Sequence, residues 1–409
     1  MTYLLSNDKE HCSGCSACAN VCPKNALHLI KDEEGFLYPE KDTNCIECGL
    51  CERVCPYADE SLNTQTSNPK VYASYSKSER TRSSSGGLFY VIGKHVIEKG
   101  GVVYGAAFSK DLKLRHQKAT TIDELERLRG SKYIQSDLKY TFREIKVSLN
   151  DNILVLFSGT PCQVAGLKSY LRKDYDNLLT IDVVCDGVPS QWMFDKHREY
   201  LENKHKAKLV SYSFRDNQGW SGCEIAEFET KKGLRKTKVT PTYELSPYLY
   251  SFLYGLTYRL SCYNCRFAAI PRQGDITLGD FWGIEKYKPA MDKSSGVSAV
   301  LINNEKGCHL WDEIKSSLLR EESTIQDVCR LNTNIYKCHG TVPPFRSKAY
   351  ESVRNRGYES VAKNEFRSPH YYSLKVKYTL KRLKLFRKLF AFAKRQMNSI
   401  GVGHIFMNN

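Results

Sequence analysis

The chain has 409 residues, 41% of them hydrophobic, enough for one large domain or two to three ordinary ones. No stretch approaches the 18 or more consecutive apolar residues of a membrane-spanning helix, and the opening MTYLLSNDKEHCSG lacks the basic end and apolar run of a signal peptide. A cytoplasmic protein is expected, and in that reducing compartment sixteen cysteines argue against a disulfide framework and for metal ligation. The net charge of +16 is uneven: residues 1–60 carry 5 Lys/Arg against 11 Asp/Glu, a net −6, which leaves +22 for the remaining 349. No nucleic-acid recognition motif accompanies that charge, so no nucleic-acid partner is expected.

The front sixty residues hold CSGCSACANVCP (12–23) and CIECGLCERVCP (45–56). Both are C-x2-C-x2-C-x3-C-P, the run of a two-cluster bacterial ferredoxin. Three close thiolates wrap one face of a cubane, and the fourth cysteine, read as opening a helix, reaches across to the other cluster. That assigns Cys12, Cys15, Cys18 and Cys55 to one 4Fe-4S cluster, and Cys45, Cys48, Cys51 and Cys22 to a second. Zinc sites favour two CxxC pairs across a spacer rather than this duplicated triplet-plus-one. Between the runs, LHLIKDEEGFLYPE reads as a hairpin turning at Glu34-Gly35.

A polar linker is expected over 61–70, then alternating elements. GLFYVIGKHVIEKG predicts a helix, VVYGAAF a strand, DELERLR a short helix and NILVLFS a buried strand. QVAGLKSYLRK is helical and LLTIDVV a strand, so the succession predicts an α/β body. LVSYSFRD, CEIAEFET and RKTKV read as adjacent strands and add an antiparallel portion. Neither GxGxxG nor a Walker A sequence occurs.

Three stretches in the body carry chemistry. RSSSGG (82–87) leads into a helix, either exposing N–H groups to an anion such as a diphosphate or simply capping the helix through Ser84 or Ser85. RGSKYIQS (129–136) offers Lys132, Tyr133 and Gln135 to a phosphate or a ring. FSGTPCQVAG (157–166) places Cys162 in a strand-to-helix turn, where α/β proteins hold ligands. Cys185 ends the next strand, and SCYNCRF adds Cys262 and Cys265. These four thiols form either a shared cluster or separate features: a core cysteine, a nucleophile, and a redox pair or half a zinc site. Cys223, Cys308, Cys329 and Cys338 read as structural.

The pieces SSSGG, RGSKYIQS, FSGTPCQVAGLKSYL, CDGVPS, SFRDNQGW, SCYNCRFA and DITLGDFWGI run in order from about residue 72 to 300. Together they resemble the coenzyme F420 (deazaflavin) hydrogenase and dehydrogenase beta-subunit family, to which a ferredoxin module is a common attachment. The resemblance implies FAD and a third 4Fe-4S cluster, held by Cys162, Cys185, Cys262 and Cys265. It also implies flavin contacts at Ser84, Ser85, Gly86, Gly87, Ser131, Lys132, Tyr133, Gln135 and Thr160. Gln163 would lie beside both flavin and cluster, with Asp280 near the site.

The fold class expected is α+β with α/β: a small ferredoxin domain (1–60), a mixed flavin-binding body in two parts (71–150 and 151–340), and a basic helical tail (341–409). In VKYTLKRLKLFRKLFAFAKRQM, Val376, Leu380, Leu383, Phe390 and Met397 share one helical face, and Lys381, Lys384, Lys388 and Arg395 another. That helix either packs on the body or lies on the inner face of a membrane. On a membrane the substrate would be lipid-linked or belong to cell-surface glycan assembly. The function expected is an iron–sulfur flavoprotein oxidoreductase exchanging electrons with ferredoxin or another redox protein and acting on an organic substrate or deazaflavin-like carrier. The alternative is a non-catalytic relay subunit of a larger redox complex.

Overall fold

The computed structural model describes residues 2–58, 65–215, 223–231 and 233–382. At the front, the two cysteine runs flank an antiparallel hairpin of β1 (Leu27–Lys31) and β2 (Leu37–Lys41). Gly35 takes φ +84 at the expected turn, and the Asp32 carboxylate accepts the N–H groups of Glu34 and Phe36. Short helices at Ala17–Val21 and Leu50–Arg53 contain the third cysteine of each run. The fourth cysteine therefore follows a helix instead of opening one. The reason is local: Ser16 and Gly49 take left-handed conformations that start each helix early, and Pro23 and Pro56 lack the N–H needed to continue it.

The body adds β3 (Lys70–Ser76), β4 (Val102–Phe108), β5 (Leu114–Ala119), β6 (Val155–Gly159), β7 (Leu178–Val183), β8 (Lys208–Ser213), β9 (Glu224–Thr230), β10 (Gly233–Thr240), β11 (Ile276–Asp280), β12 (Ser298–Ile302) and β13 (Leu318–Ser323). Eight of these form one sheet in the order β13-β3-β12-β11-β7-β6-β4-β5. Its middle four, β11, β7, β6 and β4, are parallel, and the flanking strands pair antiparallel. VVYGAAF and VLFSG are near-continuous apolar runs because helices cover both faces of this centre. Helices Leu88–Glu98 and Glu305–Ile314 contribute to the core on one side. Thr141–Asn150 and Pro161–Leu171 do so on the other. The sequence reading did not place β5 or the helices at 141–150 and 305–314. β3 pairs with β12 and β13, so a division near 150 falls inside one sheet rather than between two parts.

β8, β9 and β10 form the antiparallel portion, which shares a core with helix Gln191–His205, with Phe36 and Tyr38 of the hairpin, and with residues 349–366. That last segment corrects the tail boundary. Helices Arg346–Arg356 and Tyr358–Asn364 bury Tyr350, Val353, Tyr358 and Val361, so the chain from 346 to 366 belongs to the body. Of the predicted amphipathic stripe, helix Tyr371–Arg382 leaves Val376 exposed and Leu380 half-buried. Leu383, Lys384, Lys388, Phe390, Arg395 and Met397 lie outside the described residues. No described helix is long and apolar enough to cross a membrane.

The acidic front meets the basic body through arginines. Arg143 donates to the carbonyls of Ala19, Asn20 and Cys22, Arg266 to that of Tyr57, and Arg354 to that of Glu33. Arg346, fully buried, grips the Glu34 carboxylate with two parallel bonds of 2.7 and 2.6 Å. Backbone acceptors, and one carboxylate, dock the module against the sheet in a defined register.

Candidate functional site

The carboxyl ends of parallel β6, β7 and β11 deliver Thr160, Cys162, Gln163, Cys185 and Asp280 to one edge of the sheet, the usual place for a ligand in an open α/β fold. After β6, Thr160 precedes a helix with Pro161 at its first position, and the Gln163 side chain accepts the Thr160 N–H at 3.0 Å. Cys162 is thereby held in the first turn, its Sγ 3.1 Å from Thr160 Oγ1. After β7 comes Cys185, and β11 ends on Asp280, with Trp282 just beyond. A cavity of about 800 Å³ lies along this edge. Its walls include Ser84, Ser85, Gly87, Ser131, Lys132, Tyr133, Gln135, Thr160, Gln163 and Asp280, together with Cys162, Cys185, Cys262 and Cys265. Gly86 does not line it. A Cβ there would meet Ser74 O at 2.4 Å, so Gly86 lets the loop lie against β3, with its N–H on Ser298 Oγ at 3.0 Å.

The serines are not helix caps. Gly87, at φ +87, occupies the cap position of Leu88–Glu98, and Ser84 Oγ instead accepts the Ser131 N–H at 2.9 Å, joining the two predicted segments. Lys132 turns its ammonium onto the carbonyls of Leu128 and Arg129 at 2.9 and 2.8 Å, and burial pushes its pKa down to about 7. Tyr133 packs on Phe252, ring centres 4.4 Å apart. Asp280 pairs with Arg215 at 2.5 Å. Gln135 faces the module: its amide donates to Ser13 O at 2.8 Å and accepts from Arg259 at 3.2 Å. Residues 216–222 of the SFRDNQGW stretch lie outside the described residues.

The thiols gather in fours. Cys12, Cys15, Cys18 and Cys55 line one cavity, Cys22, Cys45, Cys48 and Cys51 a second, and the third set shares the large one. Burial pushes Cys185 well above the ordinary thiol range, and repulsion from Cys262, Cys162 and Cys265 adds to it. Burial likewise pushes Cys262 and Cys265 up to about 12 and Cys55 up to about 11. Four thiolates are stable in such surroundings only beside a compensating positive centre, which is what a cluster's irons supply. Among the described residues no three Cys, His, Asp or Glu side chains close round a single metal ion. Zinc would draw its sulfurs to about 3.8 Å of one another given its 2.3 Å bonds, whereas a cubane takes each thiolate on a different iron. The donor sets fit cubanes.

The first and third sets abut. Tyr57, Ala165 and Phe267 form a small core with Cys55, Cys162 and Cys265 packed against it. A Cβ on Gly166 would stand 2.9 Å from Cys15 Sγ, so the helix bearing Cys162 lies directly on the first cysteine loop. Cys48, in the second set, is exposed.

Sequence reasoning missed four lining or bridging residues. His116 bonds Ser136 and the Ser158 carbonyl at 2.8 and 3.0 Å, and burial pushes its pKa down to about 4, so it stays neutral and braces the strand ends. Tyr57 buries a hydroxyl with no hydrogen-bond partner among the described residues. Arg215 backs Asp280, and Arg259 joins module to body. No spacing marks any of them, though Arg259 stands three residues before Cys262 and Tyr57 two after Cys55. Cys338, read as structural, lines the large cavity.

Residues 154–328 match the C-terminal family of the coenzyme F420 hydrogenase/dehydrogenase beta subunit, and residues 11–58 match the 4Fe-4S dicluster domain. The chain is 43% identical over 56 residues to an uncharacterized ferredoxin of Methanocaldococcus jannaschii, covering 14% of this chain and 73% of that protein. It is 24% identical over 207 residues to an uncharacterized protein of the same organism, covering 42% of this chain and 56% of the other. Among solved structures it is similar to a chain of the F420-reducing [NiFe] hydrogenase complex from Methanosarcina barkeri. That match has 14% identity and a TM-score of 0.40, over 68% of this chain and 89% of the other.

Proposed function

We propose that this chain, whose residues 154–328 match the C-terminal family of the coenzyme F420 hydrogenase/dehydrogenase beta subunit and whose residues 11–58 match the 4Fe-4S dicluster domain, is an iron–sulfur flavoprotein oxidoreductase with three cubanes and one FAD. Cys22, Cys45, Cys48 and Cys51 hold the outer cluster, Cys12, Cys15, Cys18 and Cys55 the inner one, and Cys162, Cys185, Cys262 and Cys265 the third. The observation that carries this reading is the shared cavity: the third thiol set lines the same 800 Å³ space as the SSSGG and SKYIQ segments.

A flavin would supply the conversion between single and paired electrons that a cluster lacks. The chain's own residues bind and orient. Ser84 and Ser131, held by their hydrogen bond, and Gly87 with its helix start suit a diphosphate. Thr160 and Gln163 hold the turn that presents Cys162, and neutral His116 keeps Ser136 and Ser158 in place without adding charge. The outer cluster, beside exposed Cys48, is where a separate redox protein such as a ferredoxin exchanges electrons. The substrate is an organic two-electron partner or deazaflavin-like carrier.

Anaerobic reconstitution tests this directly. About twelve irons and one flavin per chain are expected, and Cys185→Ser should leave about eight irons. Eight irons and no flavin in the unaltered protein would overturn it. Flavin reduction by dithionite with no turnover of any small acceptor would leave the relay subunit as the function.

A further inference from the structure

Three arginines lead the fully buried side chains, Arg259, Arg272 and Arg346. Arg272 has Asp182 at 3.1 Å and Arg346 has Glu34 at 2.6 Å. Arg259 has no carboxylate among the described residues. Its Nε donates to Cys12 O at 2.6 Å, Nη1 to Gln135 Oε1 at 3.2 Å, and Nη2 to Leu37 O at 2.9 Å and Cys12 Sγ at 3.3 Å. Tyr38 and Phe36 face its guanidinium at 4.1 and 5.5 Å, offering ring faces but no net charge. A buried cation without a counter-charge is costly, so something at this junction balances it.

We propose that the counter-charge is the inner cluster, and that Arg259 thereby raises that cluster's reduction potential above the outer one's, making electron movement toward the body downhill. This rests on the cluster assignment above. A cubane with four thiolates is anionic and gains a further negative charge on reduction, so a fixed cation beside Cys12 stabilises the reduced form more than the oxidised one. Burial works in the opposite direction, disfavouring the added charge. A unit charge about 6 Å away at an effective dielectric constant of about 20 biases the electron's position roughly 100-fold, and the burial term reduces that bias. Around the outer set, half-buried Arg143 reaches Cys22 O at 3.1 Å and exposed Arg53 reaches Cys48 O, neither donating to a sulfur among the described residues, and Lys41 is already paired with Glu52 at 3.4 Å, so these cations are more screened than Arg259. One electron leaves the outer cluster and one arrives on the inner, with no bond or proton moved.

The test is a redox titration of the full-length reconstituted protein followed by paramagnetic resonance, with Cys48→Ser marking the outer cluster's signal. In the unaltered protein the inner cluster should reduce first. Arg259→Met should shift the inner-to-outer electron ratio roughly 100-fold toward the outer cluster, and Arg259→Lys should keep most of the bias. An unshifted ratio in a fully iron-loaded Arg259→Met protein would overturn the proposal, as would Lys and Met variants shifting alike. If Arg259→Met loses iron, the unaltered protein decides: the outer cluster reducing first refutes the idea. Absence of the third cluster or the flavin would refute the proposed function while leaving these two signals readable.

Discussion

Replacing Gly166 by alanine builds a methyl group 2.8 Å from the Cβ and 2.9 Å from the Sγ of Cys15. Two effects oppose each other. Alanine in place of glycine inside helix Pro161–Leu171 gains about 1 kcal/mol of helix propensity. The new contacts are nearly 1 Å shorter than the usual 3.5–4.0 Å, and overpacking of that kind costs about 1–3 kcal/mol. The ring of Phe142 stands 3.5 Å from the new methyl, Cys15 is itself buried, and a bound cluster would fix its sulfur, so there is little room to yield. Overpacking wins, for a net loss of up to about 2 kcal/mol. It also separates the first and third thiol sets and should slow transfer between them. Gly93→Ala is the control, since its methyl meets Leu125 Cδ1 at 2.7 Å, the movable end of a side chain, and should be near neutral. Urea midpoints of the anaerobic holoprotein measure the stability, and stopped-flow absorbance the transfer. Undiminished stability and transfer in Gly166→Ala would refute the packing of Cys15 against this helix, as would an equal loss in Gly93→Ala.

Removing the Glu34 carboxylate strands the buried Arg346 guanidinium, and Glu34→Ala should cost about 3 kcal/mol, the low end for a broken buried pair because Glu34 is 17% exposed. Thermal unfolding measures it, and recovery in Glu34→Leu with Arg346→Met would show that the stranded charge is the cause. A second prediction concerns pH. Burial lowers the folded pKa of His116 to about 4 from 6.5, with the Ser158 carbonyl partly opposing. A depressed folded value means the stabilisation is full above pH 6.5 and is lost as pH falls toward 4. The full span is worth about 3 kcal/mol. Urea midpoints between about pH 7.5 and 5.5 should fall in the unaltered protein and flatten in His116→Gln. His197, pushed down to about 3 by burial, keeps a residual slope.

Much of the molecule is legible in the order of its residues because the signals are local. A cubane's ligand loop spans a few residues, so the spacing of Cys12 to Cys22 and of Cys45 to Cys55 writes the chemistry into the chain. Alternation in LHLIK and LYPEK, and the apolar runs of β4 and β6, report burial at the scale of one element. Other features depend on what packs against a residue, and sequence offers no measure of that. Gln135 sits in a motif that resembles a flavin contact, yet its amide closes onto Ser13 and Arg259. Lys132 turns to the carbonyls ending its own helix. Residues 346–366 read as tail until Tyr350 and Val361 are seen filling the core beside Phe36.

By itself, then, the chain's order of residues determined the strongly patterned elements such as β4, β6 and the front hairpin, the two front thiol sets and the acidic-to-basic split. Tertiary structure alone decided that Cys162 and Cys185, brought to one edge by the carboxyl ends of parallel strands, share a cavity with Cys262 and Cys265 from the segment before β11, whatever their separation along the chain. It alone placed a lone buried guanidinium at Cys12, since charge compensation is a property of three-dimensional surroundings and leaves no periodicity to read.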